Sequence, residues 1–404
     1  MPRAYEGVKI LDFTQVVSGP MSTYQLALLG AEVIKVEPPG KGDMCRALLD
    51  TGGFGKGQFS PMFIGVNLNK RSITVNLKHP DAMAVLRPLV LEADVIAENF
   101  RPGVLERLGF GYEAMREIRP DIIYCSVSGY GQQGPRRGDA AFDGAVQAAS
   151  GLMASNGHEE TGPTRTVSPV VDVTSGLMAA FAIGAALHRR QSCGEGQYID
   201  VAMLDSAVTL LNPVFNIYLA TQSEPSLVGN RSFTQVPTAD TFPTRDGMIQ
   251  ITAITEEQAE TLCREIGLAE LLADPRFSSN AARIENRDTM RGLITQALSH
   301  NSTDFWYVRL AAAGVPTAPV ASLPDVMENP QLAHRNLTAT LPAHDSMPVD
   351  TVQSITTGYI TDVDGPSAET WAPALGEHTD AILAQYGFSP VEIDAFRASG
   401  VLGN

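Results

Sequence analysis

The N-terminal stretch 8–36 constrains the fold more than any other part of the chain. Residues 8–13 are an apolar run that leads to the turn Ser18-Gly19-Pro20. Residues 21–29 read as a short helix, Gly30 suits its stop, and residues 32–36 are a second strand-like run. Two strands joined through a helix lie parallel, because the crossover brings the chain back in its original direction. The pattern recurs: 94–97 reads as strand, 103–108 and 112–119 as helices, and 122–127 as strand. Such alternation specifies an α/β domain on a parallel sheet.

Further along, the texture changes twice. Residues 38–60 are glycine-rich and read as a loop long enough to serve a function. Residues 173–190 form an apolar helix rich in small residues (Gly176, Ala179, Ala180, Ala182, Gly184, Ala185, Ala186), which predicts close packing. A turn at 194–196 feeds a strand at 198–201 and a helix at 203–211. From about residue 225 a hairpin is expected at 240–253 around Asp246-Gly247, with helices at 256–266 and 287–299. The expected organisation is a large α/β domain over 1–215, a small α+β domain over 216–325, and a segment over 326–404 that returns to the large domain.

Composition excludes several classes. The chain of 404 residues carries a net charge of −16, a field that repels nucleic-acid phosphates and anionic membrane surfaces. Neither nucleic acid nor membrane is therefore an expected partner. Cys45, Cys125, Cys193 and Cys263 are far apart, and the histidines are scattered, so no metal site is expected. With no charged-then-apolar leader and no apolar stretch of about 18 residues or more expected, the cytoplasm is the expected compartment. No phosphate-loop motif, no G-x-G-x-x-G at the first helix, no G-x-S-x-G and no H-E-x-x-H occurs.

One acid stands out in Ser168-Pro169-Val170-Val171-Asp172-Val173-Thr174-Ser175-Gly176. Asp172 ends an apolar approach and opens the small-residue helix. Locally it reads as a helix N-cap. The same position suits a reactive carboxylate, because a helix N-terminus favours the ionised form.

The chain resembles the class III CoA-transferases, the formyl-CoA and carnitine type related to 2-methylacyl-CoA racemases. Six ordered blocks carry the resemblance: Leu11-Asp12-Phe13-Thr14, Gly30 to Glu37 (GAEVIKVE), Asn69-Lys70-Arg71-Ser72-Ile73, Ala93 to Gly103 (ADVIAENFRPG), Ser126 to Gly131 (SVSGYG), and Leu375-Gly376-Glu377-His378-Thr379. The resemblance implies a large Rossmann-like parallel-sheet domain plus a small α+β domain, in an interlocked homodimer. It implies no permanently bound cofactor, with coenzyme A and acyl-CoA as substrates and a carboxylic acid as acceptor; succinyl-CoA is a candidate donor. It makes Asp172 the catalytic nucleophile, which forms an aspartyl anhydride and then an aspartyl-CoA thioester.

By the same resemblance the CoA site falls on Val17 and Ser18 in the first loop. It continues on Val75, Asn76, Leu77 and Lys78 as an adenine-side strand, on Asn99, Phe100, Arg101 and Arg107, and on Ala140, Ala141, Phe142 and Asp143. Residues 67–107 hold six Lys/Arg against five Asp/Glu, a near-neutral island in an acidic chain. Three departures matter. Pro38 stands where the family often carries Arg, leaving that role empty or to Lys41 or Arg46. Val17 and the plain run 236–240 replace features of oxalate-specific members, which disfavours oxalate. Phe142 stands where the racemases carry a His, and Phe cannot shuttle a proton. Racemase and non-catalytic CoA binding remain the alternatives. Arg136, Arg137, Arg165 and Arg231 are candidates for holding a distal carboxylate, and Glu377 and His378 are expected to tie the C-terminal helix to the large domain.

Overall fold

The structure, a computed structural model, describes residues 2–50 and 53–403. The chain divides into two compact units. The first comprises the stretch up to Leu152, Arg165–Ser223 and everything from Ala333 onward; the second comprises Met153–Thr164 and Glu224–Leu332.

The first unit is built on six strands: β1 (Lys9–Asp12), β2 (Glu32–Glu37), β3 (Lys70–Thr74), β4 (Val95–Glu98), β5 (Ile123–Ser128) and, beyond a two-stranded ribbon of the second unit (β6, Gly157–His158; β7, Gly162–Pro163), β8 (Gln197–Ala202). The sheet order is β3-β2-β1-β4-β5-β8, and every neighbouring pair is parallel. Successive residues face opposite layers, as the two-residue period of a strand requires. Leu11, Ile34, Ile73, Ile96 and Tyr124 pack with the helix Ala82–Glu92 and with Ile382, Leu383, Ile393, Val401 and Leu402 of the C-terminal segment. Ile10, Val33, Val95, Ile123 and Cys125 pack on the other face with Val171, Ala179, Ile183 and Ala186 of the helix Val170–Cys193.

That helix begins three residues earlier than the composition indicates and ends at Gly194, whose left-handed backbone closes it. By length and composition it is long and apolar enough to cross a membrane. This corrects the expectation of no such stretch: the helix runs on through Asp172 at one end and past Arg189 and Arg190 at the other. Here the helix lies against the sheet with Gly176, Ala179 and Ala186 buried, while Ala185 is exposed, so the close packing expected of the small residues holds for one face only.

A second correction concerns residues 75–78, expected as a strand. The strand is β3, and Val75, Asn76, Leu77 and Lys78 form the turn that follows it. Val75 is fully buried in the core, Leu77 packs on the same cluster, and the Asn76 N–H donates to Val401 O at 2.8 Å. His378 does tie the C-terminal segment down: its N–H donates to Ser72 O at 3.0 Å and its Nδ1 accepts from the Ser72 N–H at 3.3 Å.

In the second unit, β9 (Ala239–Pro243), β10 (Met248–Thr252) and β11 (Thr317–Pro319) form an antiparallel sheet in the order β11-β10-β9. Phe242, Ile249 and Ile251 bury against Leu262, Ile294, Trp306 and Leu310 of the helices around it. The remaining strands, β12 (Thr338–Pro342) and β13 (Thr351–Ile355), make a hairpin in the first unit.

Candidate active site

The order of the six-stranded sheet reverses direction between β1 and β4. Loops leaving the carboxyl ends of those two strands diverge, and the crevice between them is where open parallel sheets bind ligands. A cleft of about 110 Å³, open to solvent, lies there. The loop after β1 contributes Val16 and Ser18, and the loop after β4 contributes Asn99, Phe100, Arg101 and Pro102. The end of β5 and its long loop add Val127, Ser128, Gly129, Arg137, Asp139, Ala141 and Phe142. Met203 enters after β8, and Asp172 comes from the first turn of the long helix.

Asp172 is the third residue of that helix and only 8% exposed. It is not the cap. The N-cap position is Pro169, which offers no side-chain acceptor. The Asp143 carboxylate caps the helix from a distance in sequence: its Oδ2 accepts from the N–H of Val171 at 2.8 Å and of Asp172 at 3.2 Å. Asp143 is itself held by Gln147, whose Nε2 donates to its Oδ1 at 2.6 Å. Burial, and then the neighbouring charge of Asp143, push the Asp172 carboxyl up to about 7, while a hydrogen bond from Ser18 pulls the other way. The expectation that the helix N-terminus would favour the ionised form is therefore overturned; its two nearest N–H groups serve Asp143. Asp172 sits poised between its protonation states near neutral pH, a property of groups that do chemistry.

The loop after β1 carries backbone strain. Val16 has a φ of 71°, which a β-branched residue adopts only when its surroundings impose it. Its N–H donates to Asp43 Oδ1 at 3.0 Å. Beneath the loop lies a buried ionic cluster with equal numbers of cations and anions: Lys70 with Asp12 at 3.0 Å, Lys35 with Asp43 at 3.0 Å, and Arg46 with Glu37 at 2.6 Å. Against the cost of burial, Lys70 and Lys35 hold the Asp12 carboxyl down at about 2. Lys35 Nζ also donates to Thr14 O at 2.7 Å, in the same loop. From the other side of the crevice, the Asn99 side chain accepts from Gln15 N and donates to Gln15 O, both at 2.7 Å.

The structure thus brings Ser18, Asn99, Phe100, Arg101, Ala141, Phe142 and Asp172 of the sequence-derived set into one cleft. It does not bring there Val17, Val75, Asn76, Leu77, Lys78, Arg107, Ala140 or Asp143, the last of which sits behind the lining on the N–H groups of Val171 and Asp172. Val17 points into a core cluster with Tyr24 and Phe59, and its neighbour Val16 lines the cleft in its place. Asn99 spends its amide on the backbone of Gln15. Arg46 cannot stand in at the Pro38 position, because it is buried, bonded to both Glu37 oxygens and stacked 3.9 Å from the centre of the Phe63 ring. Arg101 and Arg107 are exposed, and their guanidinium groups make no hydrogen bond or ion pair with a described residue. Sequence reasoning did not assign Val16, Pro102, Val127, Ser128, Gly129, Asp139 or Met203 to the site, although two of the quoted blocks contain Pro102, Val127, Ser128 and Gly129. At Gly129 a Cβ would lie 2.2 Å from Ala141 Cβ, so only glycine lets the 140–142 loop close over β5.

The sequence profile of CoA-transferase family III matches residues 5–379. The chain belongs to CoA-transferase family III. The succinyl-CoA:glutarate CoA-transferase of Homo sapiens is 36% identical over 392 residues, covering 94% of this chain and 85% of that one. The acetyl-CoA:oxalate CoA-transferase of Acetobacter aceti is 37% identical over 383 residues, covering 95% of each. The fold of this family III member superposes on the crystal structure of a CAIB/BAIF family protein from Brucella suis with a TM-score of 0.85, at 30% identity, over 96% of this chain and 100% of that one. The two relatives, named for different acids, are about equally similar to it, so overall identity does not select the acceptor.

Proposed function

We propose that this CoA-transferase moves CoA from an acyl-CoA donor to a carboxylic acid with Asp172 as the covalent carrier. The observation that carries the reading is one buried, near-neutral carboxylate at the sheet's switch point, in a cleft whose described lining contains no histidine. An ionised Asp172 oxygen attacks the thioester carbonyl; the C–S bond breaks, giving a mixed anhydride and CoA thiolate. The thiolate attacks the aspartyl carbonyl, and the donor acid leaves as its carboxylate. The acceptor carboxylate then attacks the aspartyl thioester and expels the thiolate again. Attack of that thiolate on the acceptor carbonyl forms the new acyl-CoA and frees Asp172. Every intermediate is an activated acyl group, so no step is steeply uphill. Ser18, whose side chain hydrogen-bonds Asp172, provides a donor beside the developing oxyanions.

CoA is proposed to run from this cleft along the loop after β4, its phosphates met by Arg101 and Arg107. What supports this is the pair of guanidinium groups without protein partners, on a chain whose field is otherwise repulsive to anions. Val17, Val75, Asn76, Leu77, Lys78 and Ala140 are proposed to act on CoA through backbone or neighbouring turns, since their side chains lie outside the cleft lining. Succinyl-CoA is the proposed donor.

The working form is proposed to be a homodimer. Apolar side chains left open on the first unit support it: Leu177 and Phe181 on the long helix, and Leu219 on the helix Asn212–Thr221, none of whose residues is buried. The test of the transfer reading is acceptor dependence. New acyl-CoA should appear only when a second carboxylic acid is added. Exchange of the α-proton of a 2-methylacyl-CoA in D2O without any acceptor would mark an isomerase instead.

A further inference from the structure

Four arginines were open as partners for a distal carboxylate, and the structure separates them. Arg136 is committed to Asp139 at 2.9 Å and stacks 3.9 Å from the centre of the Tyr130 ring. Arg231 belongs to the second unit and hydrogen-bonds Val228 O at 2.9 Å. Arg165 lies over Gly144, outside the cleft lining. Arg137 alone of the four lines the cleft that holds Asp172, and its guanidinium makes no hydrogen bond or ion pair with a described residue.

We infer that Arg137 is a specificity-determining residue that binds the far carboxylate of a dicarboxylic acyl group, so that the acids handled here are dicarboxylic. The inference rests on the CoA-transfer reading and deepens it. The cleft offers what such an acyl group needs. Asp172 addresses the reacting end. Val16, Phe142 and Met203 supply an apolar lining for methylene groups. A guanidinium fork then matches a carboxylate by two parallel N–H···O bonds. Of the two unpaired cations in the cleft, Arg101 sits on the loop after β4 assigned to CoA, which leaves Arg137 free for the acyl end. The remaining acid at the cleft, Asp139, is already neutralised by Arg136 and does not compete. Glutarate and oxalate, the acceptors that name the two relatives above, are both dicarboxylic.

The test uses isotope exchange, which needs no second acid. Labelled succinate exchanging into succinyl-CoA is compared with labelled butyrate exchanging into butyryl-CoA, in the wild-type chain, R137Q and R137K, with CoA affinity and the melting temperature as controls. Succinate should exchange at least about 10-fold faster in the wild type. R137Q should lower the ratio of succinate to butyrate exchange about 10- to 100-fold, with CoA affinity and melting temperature unchanged and R137K in between. Equal wild-type rates for both acids, an equal loss of both in R137Q, or no loss of succinate exchange would overturn the assignment. Exchange of neither acid by the wild type would instead sink the transfer reading on which it rests.

Discussion

Asp143 Oδ2 accepts the backbone N–H groups of Val171 and Asp172, so the acid that caps the long helix is a neighbour of the reactive acid and not that acid itself. Two carboxylates share one helix end. One is satisfied by backbone donors; the other is buried beside it and pushed toward its neutral form. The division of labour leaves Asp172 free of structural bonds to the helix that carries it.

Removing the charge of Asp143 while keeping an acceptor oxygen should therefore lower the pKa of Asp172. The attacking form is ionised, so activity falls as pH drops through that pKa. In D143N the acidic limb of kcat/KM for the acyl-CoA donor should move to lower pH from its wild-type position near 7. A limb that stays in place would show that Asp143 does not tune Asp172.

The same burial makes Asp172 a cost to the fold. Its carboxyl titrates near 3.8 when unfolded and near 7 when folded. Between those values the unfolded chain has released the proton and the folded chain has not, so stability falls as pH rises from 3.8 to 7 and the full penalty applies above 7. It is on the order of 4 kcal/mol at most. D172N should melt higher than the wild type at alkaline pH, with the gap closing as the medium is acidified. Thermal melts across pH will show this; a constant gap would contradict it.

Gly176 and Gly184 lie on the same helix and should respond differently. A Cβ at Gly176 would sit 2.6 Å from Ser18 O, a backbone atom that cannot step aside. G176A should therefore cost roughly 1–3 kcal/mol. By pulling Ser18 away it should also raise the acidic limb of activity, because the Ser18 hydrogen bond holds the Asp172 pKa down. At Gly184 the added carbon meets only the tip of Tyr5, a side chain that can swing. G184A should be neutral or gain up to about 1 kcal/mol from helix propensity. Urea melts of both variants give the comparison.

The ionic cluster under the first loop should be intolerant of single changes. Arg46→Met leaves Glu37 buried without its two-pronged partner and should cost about 3–5 kcal/mol. Adding Glu37→Gln should recover part of that loss. If the double variant is no more stable than R46M, the pair is not the source of the cost.

These contrasts show what the amino-acid sequence discloses and what it withholds. Strands β1, β2, β4, β5 and β8 were legible because buried parallel strands are short apolar runs with turn residues at their ends. β3 was not: Lys70 and Ser72 point inward, held by Asp12 and Glu37, and no apolar pattern marks a strand whose burial depends on ion pairs. Asp172 was legible through its motif. Its pKa was not, because Asp143 reaches it only through the fold. The strain at Val16 left no trace in the sequence, since the Asp43 carboxylate that accepts its N–H comes from another loop.

The most direct test of the central claim is to trap the covalent carrier. The full chain is incubated with succinyl-CoA and no acceptor, quenched with borohydride or hydroxylamine, and digested for mass spectrometry. Modification confined to the peptide that holds Asp172, and absent from D172N, is the predicted result. An unmodified Asp172 in a preparation that still exchanges labelled succinate into succinyl-CoA would contradict it.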